Sequence, residues 1–354
     1  MDALRGITIA GMIVVNDPGT WSAVYPPLEH AAWHGWTYAD TIFPFFLFLV
    51  GVSMAFSLAR RRAAGDPRRI VFGHVAIRAA VLVALGLALN ALSFVLFHGE
   101  RFRYAGVLQR IGLCVVLSGA VLLRGGVRAA VAVAAALLLG YWALLATGPL
   151  DPAGNLAARV DRAVLGRHTW KPDYDPEGLL STLPAVATTL LGAVAGERLR
   201  RLGATRRAAR ELLAAGAAAA VLGLLWGRAL PVNKSLWTSS YALLTAGLAA
   251  AALAAAVWIV DVRGARRSAA PFRWLGRNAI AAFVLSTLGA IVLLAVRVPG
   301  ADGKSHSLWN AAYRAVFDRF ADPRLGSLLF GLAYLAVWTA VCGVLYHRRI
   351  FVKI

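Results

Sequence analysis

The sequence predicts an all-α, polytopic integral membrane protein of about ten transmembrane helices, forming a single domain over residues 1–354. Of the 354 residues, 59% are hydrophobic and the mean hydropathy is +0.66, which is far too apolar for a soluble domain of this length. Apolar runs close to the thickness of a bilayer recur along the whole chain. They fall roughly at residues 3–17, 37–58, 78–97, 106–123, 129–147, 178–196, 211–228, 238–260, 275–297 and 326–346.

The formal charge of +20 follows the predicted topology. The basic residues are spread over short connections and form no compact basic face with interleaved aromatic residues, so a nucleic-acid partner is not expected. Most of them lie on connections that would share one side of a bilayer, and such an excess is typical of the cytoplasmic side. We therefore predict a multi-pass protein of the inner membrane, surrounded by lipid, with both termini cytoplasmic.

The first apolar run is unusually short. From Ala3 to Asn16 a helix would extend only about 20 Å, and the residues DPG at 17–19 end it. Because the hydrocarbon core is about 30 Å thick, the chain should turn at membrane depth. We expect residues 16–36 to form a re-entrant or membrane-depth loop, and residues 148–177 and 298–325 to cap the outer face without apolar periodicity.

The loop after the first helix carries the strongest candidate for catalysis. His30 can accept a proton near neutral pH or act as a nucleophile, although a histidine that is only hydrogen-bonded in a loop is an equally plain interpretation. Ionisable groups near hydrocarbon are costly and indicate function. Asn16, Asp17, Asp40 and Arg110 are such neighbours, which favours the catalytic interpretation.

Three of these neighbours have two interpretations each. Asn16 either donates to a developing oxyanion or caps the first helix. Asp40 either orients His30 or favours the start of the second helix by its charge. Arg110 either pairs with a carboxylate or contacts substrate. The candidate carboxylate partners of Arg110 are Asp40, Asp175 and Glu177.

Arginine clusters on the predicted inner side are candidates for binding the phosphates of a cytoplasmic donor, because guanidinium groups match phosphate geometry. The alternative is that they only set the topology. The clusters lie at 60–62, 198–201, 266–267 and 348–349. The sequence has no P-loop, HExxH or GxSxG motif, and its two cysteines lie in apolar runs, so no metal site is predicted.

A series of motifs along nearly the whole chain resembles the heparan-alpha-glucosaminide N-acetyltransferases and their bacterial relatives, a family of transmembrane acyltransferases. The motifs occur in the family's order, which makes the resemblance specific. They are DALRG at 2–6, VN at 15–16, EHAAWHG at 29–35, ADTIFPFFLFLVG at 39–51, GVLQRIG at 106–112, YDPEGLLSTLPA at 174–185, PVNKSLW at 231–237, LGRNAI at 275–280 and HRRIFVKI at 347–354.

The resemblance implies an enzyme that takes an acetyl group from cytoplasmic acetyl-CoA and delivers it to the amine of a glucosamine on the other side of the membrane. It implies that His30 is the essential histidine and Asn16 a functional asparagine, and that the protein is a homodimer. With Asp40 these residues form the predicted catalytic set. For the donor we predict Arg5, Arg110, Arg348 and Arg349, and for the acceptor Asp17, Trp33, His34, Glu177 and Asn233.

Two other functions compete with this one. A transporter of amino sugars or their acetylated products would also use a broken first helix and polar groups at membrane depth. A scaffold or lipid-binding membrane protein would need no catalytic group. Within the enzyme hypothesis, direct attack in a ternary complex and an acetyl-histidine intermediate both remain open.

Overall fold

The computed structural model describes residues 1–300 and 303–352. Their regular secondary structure is helical apart from one short β-hairpin, β1 Arg297–Pro299 with β2 Ser305–Ser307. Among these residues six helices are long and apolar enough to cross a membrane, or seven if one bent pair is counted as a span. The chain is therefore a multi-pass membrane protein.

The helices are α1 Asp2–Asn16, α2 Tyr38–Ala63, α3 Arg68–Leu96, α4 Val107–Leu145, α5 Leu156–Leu165, α6 Thr182–Leu202, α7 Arg206–Trp226, α8 Ser239–Ala256, α9 Ala270–Arg277, α10 Ala279–Ala295, α11 Leu308–Val316 and α12 Pro323–His347.

Each predicted apolar run except the one at 275–297 coincides with a helix or with half of one. Helix α4 covers two runs and is broken at Gly126, whose φ of 63° lies outside the helical region. The guanidinium of Arg110 lies 5.1 Å from the ring centroid of Trp237, while Tyr141 donates a hydrogen bond to the Leu236 carbonyl. A straight helix would separate residues 110 and 141 by about 46 Å. The second half of α4 therefore folds back along the first.

The structure differs from the sequence prediction at three places. Helix α3 begins at Arg68, ten residues before the apolar run, because its first turns are basic. The run at 275–297 is split into α9 and α10, which are bent by 83°. The two outer segments predicted to lack periodicity contain the short helices α5 and α11, so that prediction was wrong. Helix α1 ends at Asn16, as predicted.

Helix α2 is fixed in the core by close contact with α6. A Cβ atom at Gly51 would lie 1.9 Å from the Thr189 carbonyl oxygen, and one at Gly192 would lie 2.0 Å from that of Phe48. Small residues let helices approach closely in lipid, where packing replaces the hydrophobic effect as the source of association. This contact holds the position of α2, whose first turn carries Asp40.

The connections between helices gather at two opposite faces. We call one the His30 face; it holds residues 17–37, 97–106, 146–181, 227–238, 296–300 and 303–322. Hydrogen bonds between its loops, such as the one from Trp33 Nε1 to the Leu150 carbonyl at 2.8 Å, tie it together. We call the other the arginine face; it holds residues 64–67, 203–205, 263–269, 348–352 and the break in α4.

Candidate active site

A histidine–aspartate pair lies where the 17–37 loop meets α2. His30 Nδ1 is 2.8 Å from Asp40 Oδ1, and Asp40 Oδ2 accepts hydrogen bonds from the backbone N–H groups of Ala31 and Thr37, each at 3.0 Å. The Asp40 side chain is 1% exposed. With Nδ1–H donating to the carboxylate, Nε2 carries no proton and can act as a base. Asp40 thus contacts His30 and also caps the start of α2, and its part in catalysis stays a prediction.

Lys234 completes the cluster and was missed by the sequence analysis. Its Nζ lies 3.0 Å from His30 Nδ1 and 3.2 Å from His30 Nε2, and 3.6 Å from Asp40 Oδ1. Burial lowers the pKa of Lys234, and the negative charges of Asp40 and Glu177 partly oppose this. A lysine set in an otherwise uncharged segment, PVNKSLW, was the available signal.

Two of the three predicted catalytic residues, His30 and Asn16, line one small cavity of about 120 Å³. His30, Asn16 and Lys234 contribute nitrogen groups to its wall, and Glu177 contributes a carboxylate. Helices α1, α2 and α4 supply the apolar remainder through Met12, Val15, Ala39, Ile42, Phe43 and Val107. The structure thus brings Asn16, His30 and Glu177 together, with Asp40 directly behind His30.

Arg103, also missed by the sequence analysis, holds the segment that carries Glu177. Its Nε donates to Asp175 Oδ2 at 2.8 Å, and its Nη2 bonds both Asp175 and Glu177. Burial lowers the pKa of Arg103, but the two carboxylates outweigh it and the net pKa is raised. Burial alone would raise the pKa of Asp175. The hydrogen bond and positive charge of Arg103 outweigh burial, and the net pKa of Asp175 is lowered. The pair is thus held ionised, and it fixes the carboxylate of Glu177 at the cavity.

Arg110 does not form the expected ion pair with a carboxylate in the described part of the chain, so that expectation was wrong. The guanidinium is 1% exposed and donates to the Gly178 carbonyl at 2.9 Å and to Ser181 Oγ. Asp175 and Glu177 bind Arg103 instead, because Arg103 lies nearer the loop end of α4. Arg110 lines none of the cavities described here, and its position does not support a contact with the donor.

The remaining predicted acceptor residues of the His30 face lie outside the catalytic cavity. Asn233 is fully buried; its Oδ1 accepts from the Leu236 N–H at 2.8 Å, and its Nδ2 lies 3.4 Å from His34 Nδ1. Trp33 packs edge to face on Tyr174 at 5.0 Å. These contacts order the loops around Lys234, and a role in binding the acceptor stays a prediction for Trp33, His34 and Asn233.

Asp17 lies in a second cavity on the same face. This outer cavity has a volume of about 370 Å³ and shares Asn16 with the catalytic cavity. Trp21, Trp309 and Asn310 also line it. Burial raises the pKa of Asp17 to about 7.

A basic cavity of about 340 Å³ opens toward the arginine face. Arg5 lines it and donates to Ser53 Oγ at 2.6 Å. Arg60, which belongs to the predicted cluster at 60–62, also lines it, together with Arg78 and Arg277, which the sequence analysis did not name. Arg348 and Arg349 are not among the lining residues, although Val352 is, and their donor contact stays a prediction.

The catalytic cavity and the basic cavity both lie along helix α2. Ile42 and Phe43 of α2 line the catalytic cavity, and Phe46 of α2 lines the basic cavity one helical turn further on. The end of α1 at Asn16 likewise faces the first cavity and its start at Arg5 faces the second. The nearest lining residues of the two cavities are therefore about one turn of α2 apart. Arg5 and Asn16 are about 16 Å apart along α1, and a ligand seated on the arginines has to span roughly this distance to reach the histidine.

The fold and this site define a multi-pass membrane protein with a histidine–aspartate–lysine cluster between two differently charged openings. The family model for the catalytic region of heparan-alpha-glucosaminide N-acetyltransferase matches residues 1–232. The chain belongs to this family.

Two curated relatives agree with the family match. The heparan-alpha-glucosaminide N-acetyltransferases of Homo sapiens and Mus musculus are 26% and 25% identical to the chain over its full length. The chain spans 59% and 60% of the lengths of these two proteins.

Proposed function

We propose that this protein moves an acetyl group from acetyl-CoA, bound at the arginine face, to the amine of a glucosamine-type sugar at the His30 face. One observation carries the proposal: a basic cavity and a histidine-containing cavity adjoin along α1 and α2. The arginines of the basic cavity suit the phosphates of CoA. The names of the two relatives support the acetyl group and the amino sugar.

In the proposed reaction, His30 Nε2 takes a proton from the acceptor amine as its nitrogen attacks the thioester carbonyl carbon. The carbon–nitrogen bond forms, negative charge develops on the carbonyl oxygen, and the carbon–sulfur bond then breaks. The CoA thiolate leaves with the proton returned from His30. Asp40 holds the imidazole in the tautomer that leaves Nε2 free.

The developing oxyanion needs a donor, and Lys234 is placed to provide one. Its ammonium lies within 3.2 Å of the atom that takes the proton, so both groups reach the same reacting centre. Asn16 also lines this cavity and supplies a second, neutral donor. Glu177 lies near enough to attract a cationic acceptor.

An acetyl-transfer assay with the purified protein in detergent tests the proposal. We expect the purified protein, incubated with acetyl-CoA and glucosamine, to yield N-acetylglucosamine and free CoA in equal amounts, detected by mass spectrometry. Binding of both substrates without product would contradict the enzyme proposal and leave a transporter as the alternative.

The finer features of the membrane arrangement belong to the same proposal. Counting α1, both halves of α4, α6 and the bent pair α9–α10 together with the other long helices gives ten spans, with residues 17–37 at membrane depth. The protein is then a single unit in the inner membrane, with both termini cytoplasmic and a second copy completing a homodimer. The excess of arginine at one face supports this orientation.

Thiol labelling tests the orientation with a matched pair. Ala163 in α5 and Ala204 before α7 are both exposed, on the His30 and arginine faces respectively. We expect Ala163→Cys, but not Ala204→Cys, to react with an impermeant maleimide added outside intact cells. Cys114 and Cys342 are buried and provide the unlabelled background. The reverse labelling would contradict the orientation.

The basic cavity makes a prediction for the donor. Arg60→Gln combined with Arg78→Gln should weaken CoA binding by about tenfold or more, because hydrogen bonds between charged groups are lost. Wild-type affinity should fall as salt rises. Calorimetry over an ionic-strength series measures both effects. Arg124→Gln, which changes an exposed arginine outside the basic cavity, is the control, and an equal loss in this control would contradict the assignment.

A further inference from the structure

The outer cavity on the His30 face is not used by the reaction as described above. It lies between the loop at residues 17–22 and helices α10 and α11. Its volume of about 370 Å³ is about three times that of the catalytic cavity. The larger space therefore suits a bulky part of a substrate, and the smaller one suits an acetyl group and an amine.

Asn16 connects the two spaces. It is the last residue of α1, and it lines both the catalytic cavity beside His30 and the outer cavity beside Asp17. A group bound in the outer cavity thus needs only to extend past one side chain to meet His30. The connection is short because α1 ends before it has crossed a full bilayer thickness.

The wall of the outer cavity is held in place before any ligand arrives. Ser327 of α12 accepts a hydrogen bond from the Thr20 N–H and donates one to the Thr20 carbonyl, both at 3.0 Å. The Gly19 N–H donates to the Ser327 carbonyl at 3.1 Å. A Cβ atom at Gly19 would lie 2.6 Å from the Tyr313 ring, so the loop packs directly on α11. A preformed wall lowers the entropy cost of binding.

The chemistry of the lining fits a sugar ring. Trp21 is 66% exposed and offers a flat apolar face. Trp309 is almost fully buried, and Asp17 and Asn310 offer oxygen and amide groups. Aromatic faces pack on the C–H surface of a sugar while carboxylates and amides bind its hydroxyls.

We propose that this outer cavity is the acceptor subsite and binds the pyranose ring of an amino sugar, with Trp21 against the ring, Asp17 and Asn310 on its polar groups, and the amine extending past Asn16 to His30. The inference rests on the proposed acetyl transfer. It assigns part of the acceptor specificity to Trp309 and Asn310, which lie beyond the residues that the family model matches.

Two variants and one matched control test the proposal. Trp21→Ala and Asn310→Ala each remove one lining group. Trp36→Ala removes another tryptophan of the His30 face, one that is 41% exposed and is not part of the lining described for either cavity. Binding of glucosamine to the intact protein is followed by saturation-transfer NMR, which needs no turnover. Cyclohexylamine, which has an amine and a ring but no hydroxyls, is the comparison ligand.

We expect Trp21→Ala and Asn310→Ala to weaken glucosamine binding by about 5–10-fold and to raise its KM by the same factor, because each loses one stacking or hydrogen-bonding contact. The KM for acetyl-CoA and the thermal midpoint should not change, and Asn310→Ala should leave cyclohexylamine binding unchanged. Equal glucosamine binding in all three variants would overturn the subsite. Normal glucosamine binding without any acetyl transfer by the wild type would contradict only the proposed function.

Discussion

Replacing His30 with alanine is expected to lower the rate of acetyl transfer by a factor on the order of 10²–10⁴, the usual contribution of a positioned acid–base group. The reason is that His30 is the one imidazole among the described residues that line the catalytic cavity, and it lies against the Asp40 carboxylate. The His30 side chain is 43% exposed, so its removal should leave folding intact. Steady-state kinetics, the thermal midpoint and CoA affinity are measured together.

The control for this variant is His74→Ala, which changes an exposed histidine on α3 outside the cavities described above. It should retain wild-type turnover. If His30→Ala kept more than about a tenth of the wild-type rate, the acid–base role would be excluded. A joint loss of thermal stability and CoA binding would instead mark His30 as a structural residue.

Replacing Lys234 with methionine should lower kcat by about 10²–10³, the usual loss when one oxyanion donor is removed. Methionine keeps much of the side-chain volume but removes the ammonium beside His30. Because the basic cavity is formed by other residues, the KM for acetyl-CoA should stay close to that of the wild type. Lys171→Met, which changes a lysine packed over Trp170 at 4.6 Å, is the matched control.

Chemical restoration separates the charge of Lys234 from its packing. Lys234→Cys should be inactive and should regain activity when 2-bromoethylamine rebuilds an ammonium side chain on the new thiol. The natural cysteines Cys114 and Cys342 are 0% exposed, which directs the reagent to position 234. Full activity of Lys234→Met, or no restoration in the modified Lys234→Cys protein, would contradict the oxyanion role.

The helices and the His30–Asp40 pair were accessible from the sequence because both depend on local patterns. The apolar runs follow from bilayer thickness, and the end of α1 follows from the residues DPG at 17–19. His30 and Asp40 are ten positions apart, on either side of one helix start. Their contact needs no knowledge of the rest of the fold.

Contacts between distant segments were not accessible in this way. Lys234 is separated from His30 by 204 positions, and only the packing of α8 against α2 brings its loop to the histidine. The choice between Arg103 and Arg110 as the partner of Glu177 depends on how the 174–181 loop crosses the start of α4. The outer cavity likewise needs α11 to lie over the 17–22 loop, and α11 was expected to be irregular.

The most direct test of the central claim is acetyl transfer across a sealed bilayer. The protein is reconstituted into vesicles whose orientation is known from the cysteine labelling, with acetyl-CoA at the arginine face and glucosamine at the His30 face. If the acetyl group passes between the two cavities, we expect N-acetylglucosamine to form on the glucosamine side and free CoA on the other side. Product that forms only when both substrates share one side would contradict it.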